Sequence, residues 1–321
     1  MKDKICAVVV TYNRRDCLIN LLKSLEQQTL KLDGIFIFDN FSNDGTKDKL
    51  LELGYCSSYE PGKLNSVIND DRECYYYRNT ENSGGSGGFS SALEIASNLD
   101  YDYLWCMDDD VLAEKTCLEN LVKHMTPNVG ICIPTRTDEL YEDFAITNVN
   151  MTNPFFYNIQ KRKERIQNCD INGDTIEVVD MPFEGPLIKN DLIKCIGFPK
   201  KDFFIIFDDS EYAKRACSIT KILYCKDAVL HKQIIPMYNS KKCMDWKNYY
   251  GYRNQIWFDR HYGENIFVKI FRPNLLVLDL SLRAIFRGKF SNLKVIKLAY
   301  VHGINDRLGK LVEPGKEGKD F

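Results

Sequence analysis

The sequence predicts an α/β protein, a largely parallel sheet with helices on its faces and a helical extension at the C-terminus. Three observations predict it. Short apolar runs alternate with segments of helical spacing from Ile5 to Leu230. Several of those runs stop at polar or acidic residues, as strands do at the ligand-binding edge of an open sheet. After about Cys243 the pattern turns helical, aromatic and basic.

Ile5–Val10 is unbroken apolar sequence and predicts a buried first strand, with Thr11-Tyr12-Asn13-Arg14-Arg15 as the loop leaving it. Leu18, Leu21, Leu22 and Leu25 recur at helical spacing within Asp16–Gln28. Gly34–Phe38 predicts a second strand ending in Asp39-Asn40, and Asn43-Asp44-Gly45 a turn before a helix that opens at Thr46. Cys74–Arg78 predicts a third strand, followed by a glycine-rich loop and a helix from about Phe89 to Asn98. Tyr103–Met107 predicts the next strand and Ala113–His124 the next helix. Arg136–Val179 is polar with weak periodicity and predicts an irregular excursion. Phe203–Phe207 reads as a further strand, Ser210–Cys217 as a helix, and Lys221–Leu230 as a strand leading to His231. The expected division is an α/β domain over 1–240 and a basic helical segment over 241–321.

Composition narrows the class. An apolar fraction of 44% and a charged fraction of 27% are those of a soluble globular protein. A net charge of −2 argues against a nucleic-acid partner. Between 241 and 310, however, fourteen Lys/Arg face five Asp/Glu, which suggests a surface with an anionic partner. The twelve cysteines show no C-x-x-C spacing, and several sit in apolar runs, so reduced thiols and a cytoplasmic location are expected. The apolar run after Lys4 is too short for a signal peptide, and no stretch approaches the roughly 18 apolar residues of a spanning helix.

The chemistry concentrates at strand ends. Tyr103–Met107 runs into Asp108-Asp109-Asp110, three carboxylates that repel one another unless a positive charge sits among them. A hard divalent cation is the usual answer, although a solvated acidic turn also suits the triplet. Asn79–Phe89 carries four glycines between a strand and a helix, which suits close approach of a phosphate to a helix N-terminus, or else a flexible loop. Asp39 can accept an N–H from a nucleotide base, and Arg14 can meet a phosphate. Asp208-Asp209-Ser210-Glu211 is a second carboxylate cluster, able to supply a general base or to cap a helix. His231 can complete a metal shell.

These motifs resemble those of family 2 glycosyltransferases with the GT-A fold, in particular the bacterial galactofuranosyltransferase and rhamnosyltransferase branch. Val8–Arg14 is similar to the family's first strand and loop, and Phe38–Thr46 to its base-contacting D-N-x-S-x-D-G-T segment. Asn82–Phe89 resembles the N-x-G-G-x-G-G-F run of the galactofuranosyl group. Asp108-Asp109-Asp110 resembles its metal and diphosphate motif, and Phe207–Tyr212 its D-D-x-E segment.

The resemblance implies a nucleotide-diphospho-sugar transferase fold, a Rossmann-like mixed sheet. It implies Asp209 as catalytic base with Asp208 beside it, and Asp108, Asp110 and His231 as ligands to Mn²⁺ or Mg²⁺. Thr11, Asn13, Arg14, Asp39, Asn82, Gly84, Gly85 and Asp109 would contact the donor. UDP-galactofuranose is the favoured donor, dTDP-rhamnose the alternative, and a glycan or lipid-linked glycan of cell-surface polysaccharide synthesis the acceptor. Segment 136–184 lacks the paired tryptophans of the polymerising members. From the residues alone, a metal-dependent nucleotidyltransferase or a non-catalytic nucleotide-sugar binding module stays open. Ile266–Arg272 and Leu282–Phe290 interleave apolar and basic residues, as in helices that lie on anionic membranes at the inner face of the plasma membrane, or that join two copies of a chain.

Overall fold

The computed structural model of the chain describes residues 3–69, 71–138, 141–234 and 243–321. The domain boundary expected at 240/241 lies outside the described residues. The elements over the first half are β1 (Ile5–Thr11), α1 (Arg15–Glu26), β2 (Gly34–Asp39), α2 (Thr46–Glu52), β3 (Leu64–Asn69), β4 (Arg72–Arg78), α3 (Gly84–Ala96), β5 (Tyr103–Asp108), β6 (Val111–Ala113), α4 (Cys117–His124), β7 (Val129–Asp138) and β8 (Tyr141–Glu142). They continue with β9 (Phe144–Val149), α5 (Ile159–Arg162), β10 (Lys163–Gln167), β11 (Thr175–Val178), β12 (Leu187–Lys189), α6 (Asn190–Ile196), α7 (Asp208–Ala216), β13 (Lys221–Lys232), α8 (Trp246–Tyr262), α9 (Ile266–Phe286) and α10 (Asn292–Ile304).

The main sheet runs β11-β13-β7-β12-β5-β1-β2-β4-β3, with β6 on β13 and β8 on β7. β1 lies at its centre, parallel to β2 and to β5. It is buried on both faces because its side chains alternate between two cores. Ala7 and Val9 join Leu18, Leu21, Leu22 and Leu25 of α1 on one face. Cys6, Val8 and Val10 join Phe89, Leu93 and Ala96 of α3 on the other. The sheet is mixed: β3 on β4, β12 on both of its neighbours, and β11 and β6 on β13 are antiparallel. Register sets Thr11 opposite Asp39 and Val10 opposite Asp108, so the chemistry-bearing ends of β1, β2 and β5 share one edge.

Four expectations are corrected. Arg136–Val179 is not irregular: it carries the end of β7 and strands β8 to β11, whose mixed burial hides the period. The helix expected from Ala113 starts at Cys117, because Val111–Ala113 pairs with β13 instead. The glycine run is not a loop, since α3 begins at Gly84. Phe203–Phe207 is not a strand. Phe204, Ile206 and Phe207 all have φ between 65° and 76°, an uncommon region for bulky residues.

The C-terminal helices hold that turn in place. Asn254 of α8, fully buried, donates from Nδ2 to the carbonyls of Phe203 (3.1 Å), Ile205 (2.9 Å) and Ile206 (2.8 Å). Arg253, equally buried, donates to the carbonyl of Phe203 at 2.9 Å. A conformation this costly persists only where its surroundings over-determine it. α9 packs Leu276, Leu280 and Ala284 against Ile256 of α8 and Ile296 of α10. Its other face exposes Ile266, Phe267, Ile270, Phe271, Leu278, Leu282, Ile285 and Phe286, the last 85% exposed. No helix among the described residues is long and apolar enough to cross a membrane.

Candidate active site

A cavity of about 790 Å³ opens at the shared edge of β1, β2 and β5. Thr11, Asn13, Arg14, Asn82, Gly84, Gly85, Asp108, Asp109, Asp208 and Asp209 all line it, so ten residues named from the sequence meet at one place. Asp39, Asp110 and His231 do not line it.

The acidic triplet has a positive charge among its members, and it is Arg14. Nη1 of Arg14 donates to Oδ1 of Asp109 at 3.0 Å and to Oδ2 of Asp110 at 2.9 Å. Thr11 Oγ1 also donates to Asp109, at 2.7 Å. Burial pushes the Asp109 carboxyl up to about 6 against the pull of Arg14 and Thr11. Asp108 has no hydrogen-bond donor among the described residues. Burial first, then Asp110 and Asp109, push its carboxyl well above the ordinary range. A half-buried carboxylate that lines a cavity, without a donor and repelled by two others, fits a hard cation with oxygen ligands.

His231 faces elsewhere. Its Nε2 lies 2.9 Å from Oε1 of Glu114, whereas Lys232, next along β13, reaches Glu184 at 2.8 Å. Asp39 is engaged by its own loop and by β4. It accepts from Tyr76 Oη at 2.8 Å and from the Ser42 N–H at 2.7 Å. Its neighbour Asn40 lines the cavity instead. One further group of potential ligands, His124, Asp174 and Asp227, has its donor atoms within 4.8 Å of one another among the described residues. Lys123 already reaches both of those carboxylates at 3.3 Å, and none of the three lines the cavity.

Gly84 explains why the glycine run joins the strained turn. Its φ is +75°, and a Cβ there would lie 2.1 Å from the Phe204 carbonyl oxygen. Ser86 N–H donates to that same oxygen at 3.1 Å. Gly85 has open space where a side chain would stand, so the backbone of α3 is open to the cavity at that residue, while the Gly84 N–H is taken by Asn82 Oδ1 at 2.8 Å. Helix N-termini favour anions.

The turn also delivers the second carboxylate pair. Phe207 precedes α7 in left-handed geometry, and Asp208 and Asp209 form its first turn. The Ser210 N–H donates to Oδ1 of Asp209 at 2.7 Å. Burial and the neighbouring Asp208 and Asp180 raise the Asp209 carboxyl above the usual carboxylate range, with Lys163 pulling the other way. Burial also raises Asp208. The arrangement places Asp208 and Asp209 in the same cavity as Asp108 and Asp109.

The family model for "Glycosyl transferase family 2" matches residues 6–178, more than half of the chain. The chain belongs to glycosyl transferase family 2. It is 25% identical over 218 residues to the galactofuranosyltransferase GlfT1 of Mycolicibacterium smegmatis, covering 66% of this chain and 65% of that protein. The GlfT1 of Mycobacterium tuberculosis H37Rv is 24% identical over 221 residues, covering 67% of this chain and 65% of its own. The match thus spans slightly under two thirds of these relatives' length. The mannosyltransferase PcManGT from Pyrobaculum calidifontis, solved with GDP-Man and Mn²⁺, has a TM-score of 0.56 at 15% identity, covering 96% of this chain and 88% of its own. GalNAc-T7, solved with UDP, GalNAc and Mn²⁺, has a TM-score of 0.60 at 15% identity, covering 95% and 57%. These likenesses establish the GT-A fold, here followed by the helices α8 to α10.

In this family 2 chain, several cavity residues come from beyond the family match. Trp246, Lys247, Lys310 and Glu313 line the same space as Asp108 and Asp209. Sequence reasoning missed them. Lys247 and Lys310 belong to the basic excess of 241–310, whereas Trp246 and Glu313 carry no signal in it. Glu184, held by Lys232 and by Arg136 at 3.2 Å, was missed too, with no signal in its local sequence.

Proposed function

We propose that the protein is an inverting, metal-dependent glycosyltransferase that moves a sugar, galactofuranose favoured, from a UDP donor to a glycan or lipid-linked glycan acceptor. The observation that carries this reading is the single cavity shared by Asp108-Asp109, the start of α3 at Gly84-Gly85 and Asp209. Asp209 takes the proton of an acceptor hydroxyl, whose oxygen then bonds to the anomeric carbon. The bond from that carbon to the diphosphate breaks with its electron pair, and one displacement inverts the centre. Asp108, Asp110 and His231 are the proposed metal ligands, and Asp110 and His231, which do not line the cavity here, would have to release Arg14 and Glu114 to reach the ion. A bound Mn²⁺ or Mg²⁺ would supply positive charge for the departing diphosphate. Lys247 and Lys310 line the cavity and supply more. Galactofuranose is favoured by the Asn82–Phe89 motif and by the similarity to GlfT1. A donor screen tests it: turnover with dTDP-rhamnose and none with UDP-galactofuranose would move the protein to the rhamnosyl branch.

The outer face of α9 supports peripheral contact with an anionic bilayer at the cytoplasmic face of a membrane. This helix is apolar toward the core and toward solvent, and Arg283, Arg287 and Lys289 flank the exposed phenylalanines. Such a helix lies in the interface plane rather than crossing it. In flotation assays the chain should bind phosphatidylglycerol-containing vesicles. Replacing Phe267, Phe271 and Phe286 together by serine should weaken binding more than about tenfold. Equal flotation of the two proteins would exclude the contact, and a loss of dimer in the variant would assign the face to a second copy.

A further inference from the structure

We propose that a second, smaller cavity beside Asp209 seats an acidic group, a carboxylate or a phosphate, carried by the acceptor. This rests on the proposed function, which brings the acceptor hydroxyl to Asp209. The cavity measures about 130 Å³ and lies between the β9–β10 hairpin, α5, α7 and α8. Ser210, which follows Asp209, forms part of its wall, together with Arg162, Lys163, Lys214, Phe207 and Phe258.

Arg162 is the decisive residue. Its side chain has no solvent exposure, yet Nε and Nη2 have no hydrogen-bond partner. Its Nη1 donates to Oδ1 of Asp259, and Nη1 of the equally buried Arg272 donates to the same oxygen at 3.2 Å. Arg272 Nε also lacks a partner. Two buried guanidiniums therefore share one carboxylate, leaving one positive charge in excess. Buried donors without partners, and buried charges without counterions, cost several kcal/mol (roughly) and are rare in finished proteins. The rings of Phe207 and Phe258 lie 6.0 Å from the Arg162 guanidinium, at the outer limit of a cation–π contact, and do not replace hydrogen bonds.

Beyond Arg162 the wall carries two cations, Lys163 and Lys214, and two carboxylates, Asp180 and Glu264. Lys214, one turn of α7 beyond Ser210, has no ion-pair partner among the described residues. Lys163 is tied to Asp180. Glu264 lines the cavity and is itself exposed to solvent. An incoming carboxylate or phosphate would find the free edge of Arg162, a planar fork suited to two-oxygen anions, with Lys214 as a second cation. Seated there, it would hold the acceptor while its hydroxyl lies at Asp209, so Arg162 and Lys214 act as positioning residues.

The test uses the full chain saturated with UDP, so that the nucleotide site is already filled. Inorganic phosphate and glucuronate are titrated separately, by calorimetry and by thermal shift. The wild type should bind at least one of them, and Lys214→Glu should weaken that binding at least tenfold with UDP affinity unchanged. Arg162→Gln should abolish it. Lys214 sits nearer the surface, so its variant keeps the test open if Arg162→Gln fails to fold. A response to phosphate alone identifies a phosphorylated carrier as the source, and a response to glucuronate alone an acidic sugar. No response to either anion by UDP-saturated wild type, or an equal response in Lys214→Glu, overturns the proposal. Failure to bind UDP at all would instead overturn the proposed function.

Discussion

Asp209→Asn should lower sugar transfer by about 10²–10⁴-fold, the usual contribution of a positioned general base, while UDP affinity stays within about twofold. The amide keeps the size of the side chain and can still accept the Ser210 N–H, so the start of α7 is preserved. What is lost is the ability to take a proton. The pH profile adds a second check. Burial, Asp208 and Asp180 raise the Asp209 carboxyl above its ordinary value. The base works only when ionised, so activity should fall on the acid side at a higher pH than a free aspartate would give, which titrates near about 3.9. Measured kcat/KM against pH should show that displaced limb in the wild type. A variant that loses UDP binding together with turnover would mean that Asp209 holds the structure rather than the proton.

Asp259→Ala should destabilise the chain by about 3–5 kcal/mol, because it leaves Arg162 and Arg272 as uncompensated buried cations. For a chain of this size that corresponds to a fall in Tm on the order of 10 °C. The loss should also reach the site. Asp259 lies on α8, and Asn254 and Arg253 of the same helix hold the turn that presents Asp208 and Asp209. Thermal unfolding of the purified variant provides the check. A change in stability within about 1 kcal/mol would show that the two arginines find other partners and that the ion network is not what anchors α8.

Much of this arrangement was legible in the sequence because it is written locally. The strands β1, β2 and β5 are unbroken apolar runs ending in polar residues, and both features survive in the fold. The cavity-facing Asp108, Asp109, Asp208 and Asp209 sit beside such runs, at strand or helix ends that sequence pattern can find. The failures are non-local. Phe203–Phe207 has the composition of a strand, and Arg253 and Asn254, some fifty residues downstream, draw its carbonyls into a left-handed turn. The glycine run has the composition of a loop. It becomes helix because its glycines let α3 start against the Phe204 carbonyl. The pairing of Arg14 with Asp109 and Asp110 requires the loops after β1 and β5 to meet, which the sequence alone does not say.

The central claim is that a hydroxyl attacks the sugar carbon rather than a phosphorus atom, and the nucleotide product reports this directly. The protein would be incubated with UDP-galactofuranose, Mn²⁺ and a panel of glycan and lipid-linked acceptors, and the nucleotide products separated by anion-exchange chromatography. The account predicts UDP, formed only with the metal and stoichiometric with transferred sugar. Galactofuranose 1-phosphate or UMP as the product, or tight donor binding without turnover on any acceptor, would contradict it.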